Sequence, residues 1–125
     1  MFELKRIDHV ALSVRDVEQS ANWYIENLGF ERRHQGMWNG IPVFIGKGDA
    51  AIALFPSAAK NAARPQGSSI LHFALWADRR NFLTAQRELT SRGIAFLFQD
   101  HEISHSIYFD DPDGHKVEIT TYEVS

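Results

Sequence analysis

The chain contains an internal repeat, which limits its possible folds more than any other feature of its sequence. The stretch IDHVALSVRDVEQSANWYIENLGFE near the start is matched by ILHFALWADRRNFLTAQRELTSRGIAF in the second half. His9 matches His72 and Ala11 matches Ala74, and the glycines that end the two stretches match with a slip of one residue. Because self-similarity of this kind marks a repeated structural unit, the sequence predicts two copies of one module.

Each copy is predicted to open with a short strand followed by a helix. Asp16 and Asp78 follow the strands and suit the helix N-cap, and Gln19 completes a capping-box pattern after Asp16. Apolar residues then recur at helical spacing until Gly29 and Gly93, which are the expected C-caps. The predicted strands cover residues 7–14 and 70–76.

Three shorter strand-like runs follow each helix, and their separators GKGD and DDPDG carry turn chemistry. The predicted order is therefore βαβββ twice, an α+β fold in which each module buries one sheet face under one helix. Residues 56–69 are small, polar and rich in Pro and Gly, which predicts a linker between modules at about 1–55 and 70–125. The predicted later strands are 30–34, 41–45, 50–55, 95–99, 106–109 and 116–122.

Length, charge and composition narrow the class of protein. A chain of 125 residues predicts a single domain. It has 13 Lys and Arg against 16 Asp and Glu and no basic stripe, which predicts no nucleic-acid partner and favours a small-molecule partner. With no cysteine, a metal must be held by histidine and carboxylate. The absence of a long apolar run and of a signal peptide predicts a soluble cytoplasmic protein that does not enter a membrane.

Two histidines and one glutamate are the candidate metal ligands. His9 and His72 fall on the sheet faces opposite the predicted apolar ones, and each is followed two residues later by a small alanine. One such histidine is usually solvated or satisfied by neighbours, but two at equivalent positions indicate a shared role. Glu118 alternates with apolar residues, so it either faces solvent or completes a set with His9 and His72 for Fe(II), Mn(II) or Zn(II). The predicted apolar faces contain Val10, Leu12, Val14, Leu71, Phe73 and Leu75.

Other side chains are candidates for contact with a substrate. Tyr108 shares a strand face with Ser106, so its phenol could hydrogen-bond an oxyanion, although an ordinary strand tyrosine is an equal alternative. His101 and His105 lie in a loop and are pocket or surface residues, with surface favoured for one of them. Trp38 is a candidate pocket residue, or a core residue, together with Trp76 and Phe55. The carboxylates of DDPDG are predicted to face solvent.

The stretches DHVALSVRDVEQSANWYIENLGFE, LHFALW and SIYFDDPDGHKVEI resemble the glyoxalase/bleomycin-resistance/dioxygenase superfamily, also called vicinal oxygen chelate proteins. The resemblance implies paired modules around a partly closed, U-shaped, metal-lined cavity, and usually a homodimer. It implies that His9, His72 and Glu118 hold a divalent ion, Fe, Mn, Ni or Zn. A fourth ligand position, used by glyoxalase I, falls near Ile52, which cannot ligate.

Two subfamilies are similar in different places. Fosfomycin-resistance proteins resemble the last block, with a tyrosine ten residues before the glutamate, as Tyr108 stands to Glu118, but they continue with basic residues where this chain has TTYEVS. Extradiol dioxygenases share the tyrosine and a histidine matching His101, but Gln99 and Ala58 depart from their pattern. The resemblance implies a metal-dependent lyase, transferase or dioxygenase acting on a small oxygen-bearing molecule. The alternative is a metal-free binding protein of the bleomycin-resistance kind.

Overall fold

The computed structural model describes residues 1–57 and 70–125 and divides the chain into two compact units, Met1–Ala62 and Ala63–Ser125. Each unit contains one four-stranded mixed sheet and one helix, so the protein is α+β with two βαβββ modules in tandem, as the repeat predicts. Most of the predicted linker, 58–69, lies outside the described residues. Pro56, which was predicted to open the linker, instead ends a strand.

The elements follow the chain in the predicted order. The first module contains β1 (Val10–Val14), α1 (Val17–Leu28), β2 (Glu31–Arg33), β3 (Val43–Lys47) and β4 (Ala50–Pro56), with a short 3-10 turn at Trp38–Gly40. The second contains β5 (Phe73–Trp76), α2 (Arg79–Ser91), β6 (Leu97–Asp100), β7 (His105–Asp110) and β8 (Lys116–Thr121). Within the described residues, neither helix is long and apolar enough to cross a membrane.

The two sheets have the same topology. Their strand orders are β1-β4-β3-β2 and β5-β8-β7-β6, and the first strand of each module pairs in parallel with the last. The remaining neighbours are antiparallel. The first strand of each module is therefore an edge strand with a single bonded neighbour.

Both first strands begin later than predicted, at Val10 and Phe73. Because each is an edge strand, it ends where the ladder to its one partner ends. His9 and His72 consequently lie immediately before a strand instead of inside it. Leu71, predicted to lie on the apolar face, is 69% exposed for the same reason.

The helix starts are as predicted. The Asp16 carboxylate accepts the Gln19 backbone N–H at 3.0 Å, and the Asp78 carboxylate accepts that of Asn81 at 2.8 Å. In both modules the cap satisfies one of the backbone donors that a helix start leaves without an internal partner.

The helix ends differ between the modules. Gly29 caps α1 in the left-handed conformation, with φ 75°, as predicted. The C-cap of α2 is Arg92, so the prediction of Gly93 is wrong by one residue. Gly93 follows with φ 74° and turns the chain away from the helix, which is the role that glycine serves after a C-cap.

Each sheet packs one face on its own helix. Alternate residues of β1 are buried, as the period-two pattern predicts, and the central strands supply the rest of each core. The side chains on the opposite sheet faces are therefore the ones left for a ligand. The core contains Leu12, Val14, Ala21, Tyr24, Phe30, Ile45, Ile52 and Leu54 in the first module, and Phe82, Leu89, Ile107, Phe109, Val117 and Ile119 in the second.

The DDPDG segment forms the predicted turn, but its carboxylates do not all face solvent. Asp111 and Asp113 are each only 5% exposed. The Asp111 carboxylate accepts the backbone N–H groups of Asp113 and His115, both at 2.9 Å. The prediction of solvent-facing carboxylates is wrong for this pair, because Asp111 satisfies backbone donors inside the turn.

Candidate functional site

The register of the two sheets aligns equivalent side chains in rows across the face turned away from each helix. Residues directly opposite in neighbouring strands share one face of a sheet, so each register partner extends the row. The second-module row is Ala74, Glu118, Tyr108 and Leu97. The equivalent first-module row is Ala11, Ala53, Phe44 and Arg33.

Glu118 is the central charged residue of the second-module row and is only 8% exposed. Its Oε1 lies 2.9 Å from His72 Nε2, and its Oε2 accepts the Ser106 hydroxyl at 2.6 Å. The interpretation of Glu118 as a solvated residue is therefore wrong. A buried carboxylate needs polar partners to remain charged, and His72 and Ser106 supply one to each oxygen.

His72 and Glu118 fit the donor requirements of a transition-metal site. Imidazole nitrogen and carboxylate oxygen are donors that Fe, Mn, Ni and Zn accept. With metal–ligand bonds of about 2.0–2.2 Å, two neighbouring ligands stand about 3 Å apart; the His72 to Glu118 distance is 2.9 Å. Among residues 1–57 and 70–125, no three or more His, Cys, Asp or Glu residues are grouped so that they could hold a metal ion.

His9 lies in the first module, directly before β1. Its Nδ1 is 2.9 Å from an Asp8 carboxylate oxygen, and its ring centroid is 5.3 Å from that of Phe44. The hydrogen bond with His9 lowers the pKa of Asp8, and the positive charge of Arg6 acts in the same direction. The role of His9 as a ligand remains a prediction.

Tyr108 stands directly opposite Glu118 in the register of β7 and β8. Its hydroxyl lies 3.1 Å from His101 Nε2, and its ring is 5.6 Å from that of His72 in an edge-on arrangement. Burial raises the pKa of Tyr108, and the negative charge of Glu118 raises it further. The phenol therefore keeps its proton at neutral pH and can donate it in a hydrogen bond.

Ser106 is fully buried, and its hydroxyl serves the carboxylate of Glu118. The same oxygen lies 3.0 Å from the Thr120 hydroxyl. Ser106, Glu118 and Thr120 thus form a polar network inside the sheet, the kind of arrangement that fixes a side chain in one orientation. Contact between Ser106 and a substrate remains a prediction.

The structure distinguishes His101 from His105, which the sequence left open as pocket or surface residues. His101 contacts the Tyr108 hydroxyl and so belongs to the group around Glu118. His105 is the first residue of β7, two residues from buried Ile107, and its Nε2 lies 3.5 Å from an Asp100 oxygen. Because side chains alternate along a strand, His105 lies on the opposite face from Tyr108.

The candidate pocket aromatics are not core residues. Trp38, Trp76 and Phe55 are 50%, 67% and 40% exposed, so the core alternative is wrong for all three. Trp38 packs in an aromatic cluster with His34 and Phe44, with ring centroids 5.7 and 6.2 Å from its own. His34 and Phe44 are themselves 4.9 Å apart.

The register also corrects the position equivalent to Glu118. Sequence comparison placed it near Ile52, but Ala53 is the residue paired with Ala11, as Glu118 is paired with Ala74. Ile52 belongs to the core beneath α1. Neither residue can ligate a metal. Extending the repeat through the later strands, so that IPVFIG aligns with HSIYFD, would have identified Phe44 as the equivalent of Tyr108 in advance.

Comparisons with known proteins agree with this architecture. The model of the Glyoxalase/Bleomycin resistance protein/Dioxygenase superfamily matches residues 6–119. The chain is 29% identical to glutathione transferase FosA of Serratia marcescens, over 93% of this chain and 80% of that protein. It is 30% identical to metallothiol transferase FosB of Staphylococcus epidermidis, over 95% and 83%. A glyoxylase/bleomycin resistance protein/dioxygenase domain from a Frankia species has the same fold, with a TM-score of 0.79 at 22% identity, covering 98% of this chain and 96% of that one.

Proposed function

We propose that this chain, which belongs to the Glyoxalase/Bleomycin resistance protein/Dioxygenase superfamily, is a metal-dependent enzyme. Its proposed substrate is a small oxygen-bearing molecule. The observation that carries the proposal is the contact of His72 with Glu118 at 2.9 Å, in a row that also holds Tyr108. A purely apolar binding surface has no use for a buried carboxylate, because burying one is costly.

His9 is proposed as the third ligand beside His72 and Glu118. The repeat supports this assignment, since His9 and His72 precede equivalent edge strands. Two imidazoles and one carboxylate leave positions open for a substrate and suit Fe, Mn, Ni or Zn. When bound there, a divalent ion supplies Lewis acidity toward a substrate oxygen.

Tyr108, His101 and Ser106 have separate roles in this proposal. Tyr108 donates a hydrogen bond to negative charge that develops on the substrate oxygen. His101 holds the phenol in place through its contact at 3.1 Å. Ser106 fixes the orientation of Glu118 by occupying one carboxylate oxygen, so it acts through Glu118.

A transferase is the reaction class that the relatives favour. The two curated relatives described above are named as a glutathione transferase and a metallothiol transferase. We therefore propose that this chain adds a thiol compound to a small oxygen-bearing acceptor: the sulfur bonds to an acceptor carbon, a carbon–oxygen bond of the acceptor breaks, and the thiol proton goes to the freed oxygen. Lyase and dioxygenase reactions are the competing classes within the superfamily, and product analysis with and without a thiol separates them from transfer.

Metal binding provides the first test. Wild-type protein reconstituted with Mn(II), Fe(II), Ni(II) or Zn(II) should hold about one ion per chain. His72→Ala should lose that ion, whereas His105→Ala, on the opposite face of the same sheet, should keep it. The measurement is metal content after gel filtration, with circular dichroism to confirm folding. Full occupancy in His72→Ala would refute the site.

A metal-free binding protein is the second candidate, favoured by the lack of a group of three metal-binding residues among the described residues. This candidate predicts that a ligand raises the melting temperature equally with and without a chelator. The enzyme predicts stabilisation that depends on metal, followed by product formation. Stabilisation that is insensitive to metal, with no product, would decide for the binding protein.

A homodimer and a cytoplasmic location remain predictions. The edge strands β1 and β5 each have an unbonded side within their own sheets, and open edges are commonly completed by pairing. Sedimentation at micromolar concentration should give about twice the chain mass of 14.3 kDa. A species of the chain mass would contradict the dimer.

A further inference from the structure

Arg33 stands in the first-module row, beside Phe44, on the sheet face turned away from α1. The adjacent Arg32 points to the other face, where its guanidinium lies 3.0 Å from Glu18 of α1. Two consecutive arginines on one strand thus have different surroundings, as the alternation of side chains along a strand requires. Arg32 is paired with a carboxylate.

Arg33 has no such partner. Within residues 1–57 and 70–125, no carboxylate lies within ion-pair distance of its guanidinium, and this includes Glu31, two residues away on the same face. Its Nη2 instead donates to the Gly48 carbonyl oxygen at 3.0 Å. The guanidinium is therefore held in place by a carbonyl oxygen, with no carboxylate of the described residues in direct contact with it.

Gly46 leaves the space that the Arg33 guanidinium occupies. A Cβ added to Gly46 would collide with the guanidinium, so the arginine lies directly against the backbone of β3. The equivalent residue of the second module is Asp110, whose carboxylate pairs with Lys116 at 2.7 Å. The second module thus supplies a carboxylate at this place, and the first module supplies none.

An aromatic surface lies beside this cation. Phe44, the register partner of Arg33, packs against His34 and Trp38, and Trp38 is 50% exposed. Because Arg33 and Phe44 are register partners on one sheet face, a planar apolar group seated on these rings would lie beside the arginine side chain. The planar fork of arginine matches a carboxylate in shape and charge.

We propose that Arg33 and the His34–Trp38–Phe44 cluster form a binding site for a small aryl carboxylate. The site lies within the first module and does not depend on the metal ligands of the second. It assigns a ligand class to Arg33, which is not one of the proposed metal ligands, although Phe44 of this site also packs against His9, with ring centroids 5.3 Å apart. The carboxylate of the ligand takes the place that Asp110 fills in the second module.

The test uses three naphthalene probes that differ only in the attached group: 2-naphthoate, 2-naphthamide and 2-naphthylphosphonate. Binding is followed by the amide signals of Gly46 and Gly48 and the indole signal of Trp38 in two-dimensional NMR, with protein as purified and after metal removal by chelation. We expect naphthoate to bind about tenfold more tightly than naphthamide, because only the carboxylate makes a charge-assisted contact. The preference should survive metal removal, which distinguishes failure of this site from failure of the metal site.

Two matched pairs of variants locate the contact. Arg33→Gln should abolish the preference for naphthoate over naphthamide, and Arg32→Gln should keep it, since Arg32 lies on the helix face. Both Gly46→Asp and Gly46→Asn displace the Arg33 guanidinium, because a Cβ at this position collides with it. Only the aspartate also adds a charge that competes with the ligand, so Gly46→Asp should weaken naphthoate binding about tenfold more than Gly46→Asn. The spectrum of each variant confirms folding, and the second pair keeps the test decisive if Arg33→Gln does not fold.

Four results would overturn the proposal. The first is equal affinity for naphthoate and naphthamide, and the second is equal loss of the naphthoate preference in Arg32→Gln and Arg33→Gln. The third is phosphonate binding at least as tight as naphthoate binding. The fourth is no saturable binding of naphthoate up to about 10 mM, because a contact that weak is not a dedicated site.

Discussion

The two modules share a backbone pattern but differ in the chemistry of the face turned away from the helix. Where the second-module row continues from Ala74 to Glu118 and Tyr108, the first-module row continues from Ala11 to Ala53 and Phe44. The same ring contact recurs, His72 with Tyr108 at 5.6 Å and His9 with Phe44 at 5.3 Å. The strand register thus determines the position of a side chain on the sheet face, and the residue type determines which ligand that position can bind.

The two modules also differ in the charges that they carry on this face. The second module pairs Lys116 with Asp110 and leaves its charge at Glu118, inside the sheet. The first module has no carboxylate in its row and keeps the cation Arg33 at the end. One face is thus suited to a cation and the other to an anion, although both derive from one repeated unit.

The largest expected effect concerns the single oxygen atom by which Tyr108 differs from its equivalent, Phe44. Once a substrate is identified, Tyr108→Phe should lower kcat about a hundredfold, because one hydrogen bond to the transition state is lost. Phe44→Tyr adds an oxygen to the first-module row beside His9 and should lower kcat far less, because it removes no hydrogen bond to the substrate. Steady-state kinetics at saturating metal measures both, and equal kcat in wild type and Tyr108→Phe would remove the phenol from the mechanism.

A smaller effect is expected from Ser106, whose hydroxyl holds Glu118 at 2.6 Å. Ser106→Ala should weaken metal binding about tenfold, because the carboxylate loses the neighbour that orients it. Ser104→Ala is the control. The backbone carbonyl of this buried serine accepts the backbone N–H of His101, and the substitution leaves that carbonyl unchanged. Isothermal titration with Mn(II) or Zn(II) gives the affinities. Equal affinity in Ser106→Ala and wild type would show that Glu118 is oriented without it.

The shared frame of the modules predicts equal effects at the two helix caps. Asp16→Ala and Asp78→Ala should each lower the free energy of unfolding by about 1 kcal/mol, because each removes the acceptor of one backbone N–H. Urea denaturation followed by circular dichroism measures both. A difference larger than the cost of one cap would show that the modules do not share stability as they share topology.

The smallest effect is the dependence on high pH that Tyr108 should contribute. The pKa of Tyr108 is raised above the ordinary value of 10.0 by burial and by Glu118. Because the pKa of Tyr108 is higher in the folded protein than in the unfolded chain, the contribution of this group to stability is present below pH 10. It is lost as the pH rises through the pKa of the folded protein. In metal-free protein, Tyr108→Phe should therefore lose less stability than wild type above pH 10. Identical denaturation curves there would place Tyr108 in ordinary solvent.

The repeat was sufficient to predict the order of elements and both N-caps, because these depend on local spacing and residue type. It also placed Tyr108 and Ser106 on one face, since alternation along a strand is local. The pairing of Ala53 with Phe44 could not be predicted from local spacing, because the register between strands depends on the turns and on packing between strands. The segment before β3 illustrates this, since Trp38 and Asn39 adopt left-handed backbone conformations that no periodic pattern signals.

The hydrogen bond from Ser106 to Glu118 has a consequence for ion selectivity. Oε2 of Glu118 already accepts the Ser106 hydroxyl, whereas Oε1 is the oxygen that lies beside His72. Calcium collects six to eight oxygen ligands, often with both oxygens of a carboxylate, and magnesium retains several waters in a strict octahedron. If an ion binds at His72 and Glu118 as proposed, a bidentate carboxylate would have to compete with the Ser106 hydroxyl for Oε2, which disfavours the mode that calcium often uses and favours transition metals, which accept one nitrogen and one oxygen.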